Sequence, residues 1–501
     1  MATIPTEKTS FAVAAQGAGR SIPKVAIAPG DGIGPEIMDA AMRVLEAGGA
    51  HMHAVQISIG KHAYLAGNSS GIPKDAWDAL SHADALFKGP ITTPLGSGYK
   101  SLNVTLRKTL GLFANVRPCR SLAPSVATLH PRLDVVIVRE NEEDLYAGIE
   151  HRQTHDVYQC LKLVSRPGCE RIVRHAFEYA RANGRRKVTC FTKSNIMKLT
   201  DGLFRDVFEE VGSEYPDIEQ DHMIIDIAAA RLAARPQDFD VIVTSNLYGD
   251  IVSDIAAELT GSVGLGASAN IGERLSMFEA IHGSAPDIAG QGVANPSGLI
   301  LAGVMMLGHL GQGLVANRIH NAWLRTVEDG QHPADIYREG VSRIRLGTEA
   351  FADAVIERLG SKPQSLAAVD HAATTVVRAA TPPPTPATTR AERRLDGVDV
   401  FVMSDADPET LATQLQVASA GLLSLEMITN RGVKVWPNGN PATFCTDHWR
   451  CRFLPHGHVV MNKRMVIELQ RRLAAAGVDF VKTEQLYSFD GEKGYSLGQG
   501  Q

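Results

Sequence analysis

Val241-Ile-Val-Thr-Ser-Asn-Leu-Tyr-Gly-Asp-Ile-Val-Ser-Asp254 changes character halfway along. The run Val241 to Ser245 has the β-branched, apolar composition of a buried strand that ends at Asn246. From Asp250 the stretch Asp-Ile-Val-Ser-Asp-Ile-Ala-Ala-Glu-Leu takes on helical character, so a helix is expected to open there. Strand feeding helix is the unit of layered α/β folds. On that helix Asp250 and Asp254 lie four residues apart and share one face of the first turn. Two carboxylates on one face repel unless a cation lies between them. A hard divalent ion such as Mg²⁺ or Mn²⁺ takes a few carboxylates together with substrate oxygens and water. Taken alone, the motif reads more simply as an N-cap aspartate followed by a solvated one.

The same alternation extends over residues 23 to 360. Short β-rich runs (Lys24-Val-Ala-Ile-Ala, Leu133-Asp-Val-Val-Ile-Val, Lys187-Val-Thr-Cys-Phe, Asp240-Val-Ile-Val-Thr) are separated by helical stretches, which indicates an α/β fold. From Pro382 the chain reads Pro-Pro-Pro-Thr-Pro-Ala-Thr-Thr, a semi-rigid polar tether and the clearest domain boundary. Beyond it a strand over Val398 to Val402 and a helix from Pro408 are expected. Two strands between Leu423 and Val435, a strand at Arg450 to Phe453, a helix from Asn462 to Ala475 and a strand from Asp479 follow. That order suits a small α+β, ferredoxin-like module.

The chain has 501 residues, enough for roughly three domains. With 44% hydrophobic and 21% charged residues it has the composition of a globular protein. A net charge of −5 with no Lys/Arg-rich run argues against nucleic acid as a general partner. The longest apolar run, Gly298 to Leu307, is too short to span a bilayer and reads as a core helix. Six cysteines in a chain this long do not make a disulfide framework. Cys445, His448 and Cys451 lack the spacing of a zinc site and read as structural thiols with a histidine between them. The first 20 residues carry neither an apolar core for secretion nor a transit-peptide composition, so the cytoplasm is the expected compartment.

Two further segments carry chemistry. Ala28-Pro-Gly-Asp-Gly-Ile-Gly-Pro-Glu36 sits between a strand and a helix, but its spacing is not the dinucleotide fingerprint. It reads as a tight turn at a cofactor's edge. Lys88 to Arg107 is dense in hydroxyl, amide and guanidinium groups, with Ser101, Asn103 and Arg107 at i, i+2 and i+6. Arg117 and Arg139 follow at chain turns. Three arginines suit a substrate with several carboxylates, because each guanidinium can grip one bidentately.

Gly-Asp-Gly-Ile-Gly-Pro-Glu36, Ser-Leu-Asn-Val-Thr-Leu-Arg107, Arg-Glu-Asn-Glu-Glu-Asp-Leu-Tyr146, Lys193-Ser-Asn-Ile-Met-Lys, Asn-Leu-Tyr-Gly-Asp250 and His282-Gly-Ser-Ala-Pro-Asp-Ile-Ala-Gly occur together. Over residues 22 to 360 the chain thereby resembles the decarboxylating β-hydroxyacid dehydrogenases, within them the isocitrate dehydrogenases. Asn430-Arg-Gly and Asp447-His-Trp-Arg-Cys-Arg-Phe resemble the extra C-terminal domain of a bacterial subgroup. The resemblance implies a flexible N-terminus over 1–20 and a large α/β domain from 21–112 and 261–360 with the cofactor site. It implies a small domain over 113–260 with a dimer-forming clasp and the metal site, a linker over 361–392 and a C-terminal domain over 393–501.

It further implies that Ser101, Asn103, Arg107, Arg117 and Arg139 bind isocitrate, with Ser101 and Asn103 on the γ-carboxylate. Isopropylmalate dehydrogenases replace that Ser-x-Asn pair with apolar residues. Tyr146 and Lys193 become the acid–base pair. Asp226, Asp250 and Asp254 become metal ligands for Mg²⁺ or Mn²⁺, with Lys193 and Asp226 supplied by the second subunit of a homodimer. The cofactor site is expected at Thr93, Glu279, His282, Gly283, Ser284, Ala285, Asp287, Ile288 and Asn295. Relatives that use NADP carry Lys-Tyr where this chain has Asp287 and Ile288, so the expected cofactor is NAD, with Arg338 as a residue that could still meet a 2′-phosphate. An NADP-dependent isocitrate dehydrogenase, an isopropylmalate, homoisocitrate or tartrate dehydrogenase, and a catalytically silent regulatory subunit are the alternative readings.

Overall fold

The computed structural model describes residues 22–93, 101–371 and 390–498. The N-terminal 20 residues and most of the Pro/Thr-rich linker, both singled out in the sequence, lie outside the described residues, as do 94–100. The chain forms two compact units, one of residues 1–146 and 163–382, the other of residues 147–162 and 383–501.

The first unit is built on a ten-stranded mixed sheet. From one edge the strands are His53–Gln56, Lys24–Ala28, Ala85–Lys88, Ser276–Ala280, Ala267–Ile271, Ala114–Arg120, Asp134–Glu140, Val241–Thr244, Lys187–Thr192 and Glu219–Ile224. Both outer parts pair in parallel, as expected of strands separated by helices. The middle is antiparallel, where Ala267–Ile271 lies between Ser276–Ala280 and Ala114–Arg120, which in turn pairs with Asp134–Glu140. The apolar run in the sequence becomes the helix Ser297–His309, buried nearly all round against the sheet. No helix of the described residues is long and apolar enough to cross a membrane.

The opening stretch folds as strand Val241–Thr244 and helix Asn246–Leu259. The helix therefore begins four residues before the expected start, and Asp250 sits in its second turn. Its cap comes from far along the chain: Asp144 Oδ2 accepts the Leu247 N–H at 2.9 Å. A capping group more than a hundred residues away is invisible to local reading. Asp250 and Asp254 still share a face, because a four-residue offset is kept wherever the helix begins.

The second unit carries a sheet ordered Val433–Trp436, Ser424–Asn430, His448–Leu454, Arg393–Met403, Phe480–Phe489, Glu492–Lys493. With the helices Pro408–Ser419 and Lys463–Ala475, this is the ferredoxin-like order, extended by two short edge strands. Both helices are N-capped, by Asp407 and Asn462, whose side chains accept from the first-turn N–H groups. The hairpin Glu150–Arg152 and Tyr158–Cys160 belongs to this unit: Asp447 accepts from Thr154 Oγ1 at 2.5 Å and from the His155 N–H at 3.0 Å.

Two histidines of the first unit are buried as neutral rings. Burial pushes His175 down to about 4, and burial with the neighbouring His371 pushes His320 down to about 3, from an ordinary 6.5. Unfolding exposes both to water, where they bind protons more readily than in the fold. Their contribution is therefore complete above about pH 6.5 and is lost as the pH falls toward 4, and further for His320. Calorimetric melting across that range should show His175→Leu with a shallower fall of Tm than the wild type; parallel curves would remove His175 from the account.

Candidate active site

The strand-to-helix turn at Ser245 places Asp250 beside two arginines from the antiparallel strands. Arg139 donates to Asp250 through Nη1 and to Asn246 Oδ1 through Nε (3.1 Å) and Nη2 (2.8 Å). Arg117 reaches Asp250 at 3.5 Å, Asp254 at 3.3 Å and Ser253 Oγ at 2.6 Å. The helix comes this close because residue 249 is glycine. A Cβ there would lie 2.5 Å from Arg139 Cγ. Tyr146, in the short 3₁₀ turn Leu145–Ala147, donates its hydroxyl to Asp250 Oδ2 at 2.6 Å, with the Arg139 guanidinium 5.0 Å from its ring centre.

The electrostatics of this cluster follow from its crowding. Burial and the neighbouring cations pull the guanidinium of Arg139 down to about 10, and burial with Arg107 lowers Arg117. Burial would raise the Asp250 carboxyl, but Arg139 and Arg117 outweigh it and hold it below the usual range. Asp254 goes the other way: desolvation, helped by the Asp250 charge, exceeds the pull of Arg117. A divalent cation between the two would hold both ionised, and their hard oxygens and common face fit one. Desolvation is also the largest effect on Tyr146, which is raised and keeps its proton.

A second centre lies along the same sheet. Glu279, nearly sealed from water, accepts from Arg107 (3.0 Å) and Asn270 (2.8 Å) through Oε1 and pairs with Lys88 at 2.6 Å through Oε2. Burial opposes its charge, yet Lys88 and Arg107 hold the carboxyl far below its ordinary range. This residue, expected at the cofactor, serves as counter-ion to two cations. The Arg107 Nε and Asn103 Oδ1 are buried without a hydrogen-bond partner. Ser101, at the start of helix Leu102–Thr109, accepts from Thr93 Oγ1 at 3.3 Å.

The expected cofactor loop packs on the glycine-rich turn. The Ser284 carbonyl accepts from Ile33 N–H (2.9 Å) and its hydroxyl meets Thr92 Oγ1 (2.7 Å). Gly32 adopts φ +59°, and a Cβ on it would sit 1.9 Å from the Ser284 carbonyl oxygen. The Gly-x-Gly-x-Gly stretch thus shapes a wall through close backbone contact. His282, lowered by burial, has an orphaned Nε2 and its Nδ1 3.1 Å from the Gly283 carbonyl. Ala285 takes φ +36° and Ile288 packs on the main core. Asn295 donates to Asp335 at 3.0 Å, while Asp287 is exposed.

Lys193 and Asp226 pair with each other at 2.8 Å. Among the described residues no three His, Cys, Asp or Glu side chains of one chain come together as a metal site. Lys88, Asn115 and Asn270 were missed in the sequence, because a lysine in a strand and isolated asparagines carry no motif.

A mixed α/β sheet with cations and carboxylates gathered at its centre defines a site for a polyanionic ligand together with a cation. The chain belongs to the isocitrate/isopropylmalate dehydrogenase family, whose model matches residues 24–355. Residues 393–501 match the C-terminal domain of bacterial isocitrate dehydrogenase. The isocitrate dehydrogenase [NADP] of Rickettsia bellii is 51% identical over 478 residues, covering 95% of this chain and 99% of that one. That of Thermus thermophilus is 44% identical over 491 residues, covering 95% and 96%. The solved TT0538 protein of Thermus thermophilus superposes with a TM-score of 0.88 at 43% identity, covering 95% of this chain and 96% of that one.

These relatives overturn the expectation of NAD, and of an NAD-dependent enzyme, drawn from Asp287 and Ile288: proteins similar to this one along nearly its whole length carry NADP in their names. The physical fault lies in weighing one side chain. An exposed carboxylate is screened by water and repels a phosphate only weakly.

Replacing Glu279 by Gln leaves Lys88 and Arg107 without their counter-ion. The expected cost is about 3–5 kcal/mol of stability, as for other broken buried pairs. Urea unfolding of E279Q checks it, and a loss below about 1 kcal/mol would mean that the cations find other partners.

Proposed function

We propose that this protein is a metal-dependent, NADP-linked isocitrate dehydrogenase that converts isocitrate to 2-oxoglutarate and CO₂. The observation that carries the reading is the crowding of Arg107, Arg117 and Arg139 about Asp250 and Asp254. Arg117 and Arg139, whose guanidinium groups are lowered by burial and by neighbouring cations, gain from an incoming anion with several carboxylates. Ser101 and Asn103, beside the unpartnered Arg107 Nε, take the γ-carboxylate. The full-length likeness to isocitrate dehydrogenases supports the choice of substrate.

Asp250 and Asp254 hold Mg²⁺ or Mn²⁺, and Arg139 and Arg117, paired with them in the ligand-free chain, turn to the substrate. When bound, the divalent cation would stabilise negative charge on the substrate oxygens and NADP⁺ would supply the acceptor for the C2 hydride. Lys193 removes the proton of the C2 hydroxyl. Tyr146, whose raised phenol stays protonated, delivers its proton to C3 after CO₂ leaves. The His282–Asn295 loop receives the adenosine and Arg338, exposed on a neighbouring segment, meets the 2′-phosphate.

Lys193 and Asp226 complete the site from a second copy of the chain. Within one chain the Lys193 ammonium pairs with Asp226, and Ile196, Leu199, Ile227 and Ile251 expose apolar surface beside them and on the helix of Asp250. Within the first unit, residues 21–112 with 261–360 and residues 113–146 with 163–260 are read as the walls of the cleft.

Initial rates with isocitrate and Mn²⁺ or Mg²⁺ test the whole. The expected result is metal-dependent turnover with kcat/KM for NADP⁺ at least about tenfold above NAD⁺. Equal use of the two would remove the role given to Arg338, and no turnover with either would refute the activity. Tyr146→Phe should lower kcat by about 10²–10⁴ with KM for isocitrate nearly unchanged, because a phenol that donates a proton grips no carboxylate. A kcat within about threefold of wild type would take the proton from Tyr146.

A further inference from the structure

Between the two charged centres runs a chain of side chains that neither uses directly. Arg117 Nε donates to Asn115 Oδ1 at 2.6 Å, and Asn115 Nδ2 donates to Asn270 Oδ1 at 2.9 Å. Asn270 Nδ2 then donates to Glu279 Oε1 at 2.8 Å, the oxygen that also accepts from Arg107. Asn115 and Asn270 are both wholly buried. Their amide orientations are dictated by the ends. A guanidinium N–H only donates and a carboxylate only accepts, so each amide must turn its oxygen toward Arg117 and its nitrogen toward Glu279. Every bond in the run points the same way.

Strand pairing makes this run possible. Asn115 and Asn270 are direct partners in the antiparallel ladder, Asn115 also faces Arg139, and Glu279 faces Lys88. Four neighbouring strand pairings thus bring Lys88, Glu279, Asn270, Asn115 and Arg139 onto one face of the sheet.

We propose that Asn270, acting through Asn115, is a positioning residue that fixes Arg117 relative to Arg107, and so sets the spacing of carboxylates the site accepts. Arg107 and Arg117 are like charges in a buried site, and Arg107 lowers Arg117. Left to themselves they would drift apart. The two amides tie Arg117 to the carboxylate that holds Arg107, so that both grips share one anchor and neither swings freely. The inference rests on the isocitrate reading for its assay but names residues which that reading does not use.

Asn141 supplies the comparison. It donates to the same Asn270 oxygen at 3.0 Å and to the Leu112 carbonyl at 2.8 Å, and it lies off the line from Arg117 to Glu279. Asn270→Leu breaks the run, Asn270→Asp keeps its shape and its accepting oxygen but loses the donor to Glu279, and Asn141→Leu leaves the run whole. With the wild type active on isocitrate, N270L and N270D should raise KM for isocitrate about 10–100-fold, the cost of a displaced binding group, with KM for NADP⁺ within about twofold. N141L should lower Tm and leave both KM values near wild type. If N270L does not fold, N270D against N141L decides alone. Wild-type KM values in N270D, or the same kinetic change in N141L, would overturn the positioning role. A wild type that does not turn over isocitrate would instead refute the functional reading beneath it.

Discussion

Burying Lys88 in the sheet beside Arg107 requires a carboxylate that stays ionised out of water, and Glu279 is that carboxylate. A lone anion in such a place would take up a proton. Glu279 keeps its charge because Lys88 and Arg107 contact it directly and Asn270 donates to it. The dependence is mutual, since Lys88 has no exposed surface and no water to fall back on. Arg107 therefore has its place set by the interior of the sheet.

The second centre follows the opposite logic. Asp250 and Asp254 are more open to solvent, and Arg117 and Arg139 match them charge for charge. Four cations (Lys88, Arg107, Arg117, Arg139) stand against three carboxylates (Glu279, Asp250, Asp254). Taken together the two centres hold one more cation than carboxylates. The inner centre is sealed in the sheet and the outer one meets solvent.

The cofactor question illustrates a limit of motif reading. The expectation of NAD rested on Asp287 and Ile288, because a carboxylate there is a physical reason to expect rejection of a phosphate. Selection between two dinucleotides is a difference of two binding free energies, to which every nearby charge contributes. The loop that carries Asp287 lies beside the segment of Asp335 and Arg338, joined through Asn295, and that neighbourhood cannot be inferred from residues 282–290 alone.

The alternating β and helical runs, the strand Val241–Thr244, the helices after Pro408 and Asn462 and the shared face of Asp250 and Asp254 were all legible in the amino-acid sequence. They depend on local periodicity and caps, which neighbours in the chain set. Arg107, Arg117 and Arg139 could be singled out for their type and placement, and the structure brings Arg117 and Arg139 onto the paired aspartates and Arg107 onto Glu279. What only the tertiary structure decided is the strand register at the middle of the sheet, antiparallel at Asn115 and parallel at Lys88. It sets Asn115 opposite Asn270 and Lys88 opposite Glu279, and a slip of one residue would turn each set to the other face. It also decided the start of the helix Asn246–Leu259, capped from Asp144, and the use of Glu279 as a counter-ion. These are contacts between residues a hundred or more positions apart, and no window along the chain contains both partners.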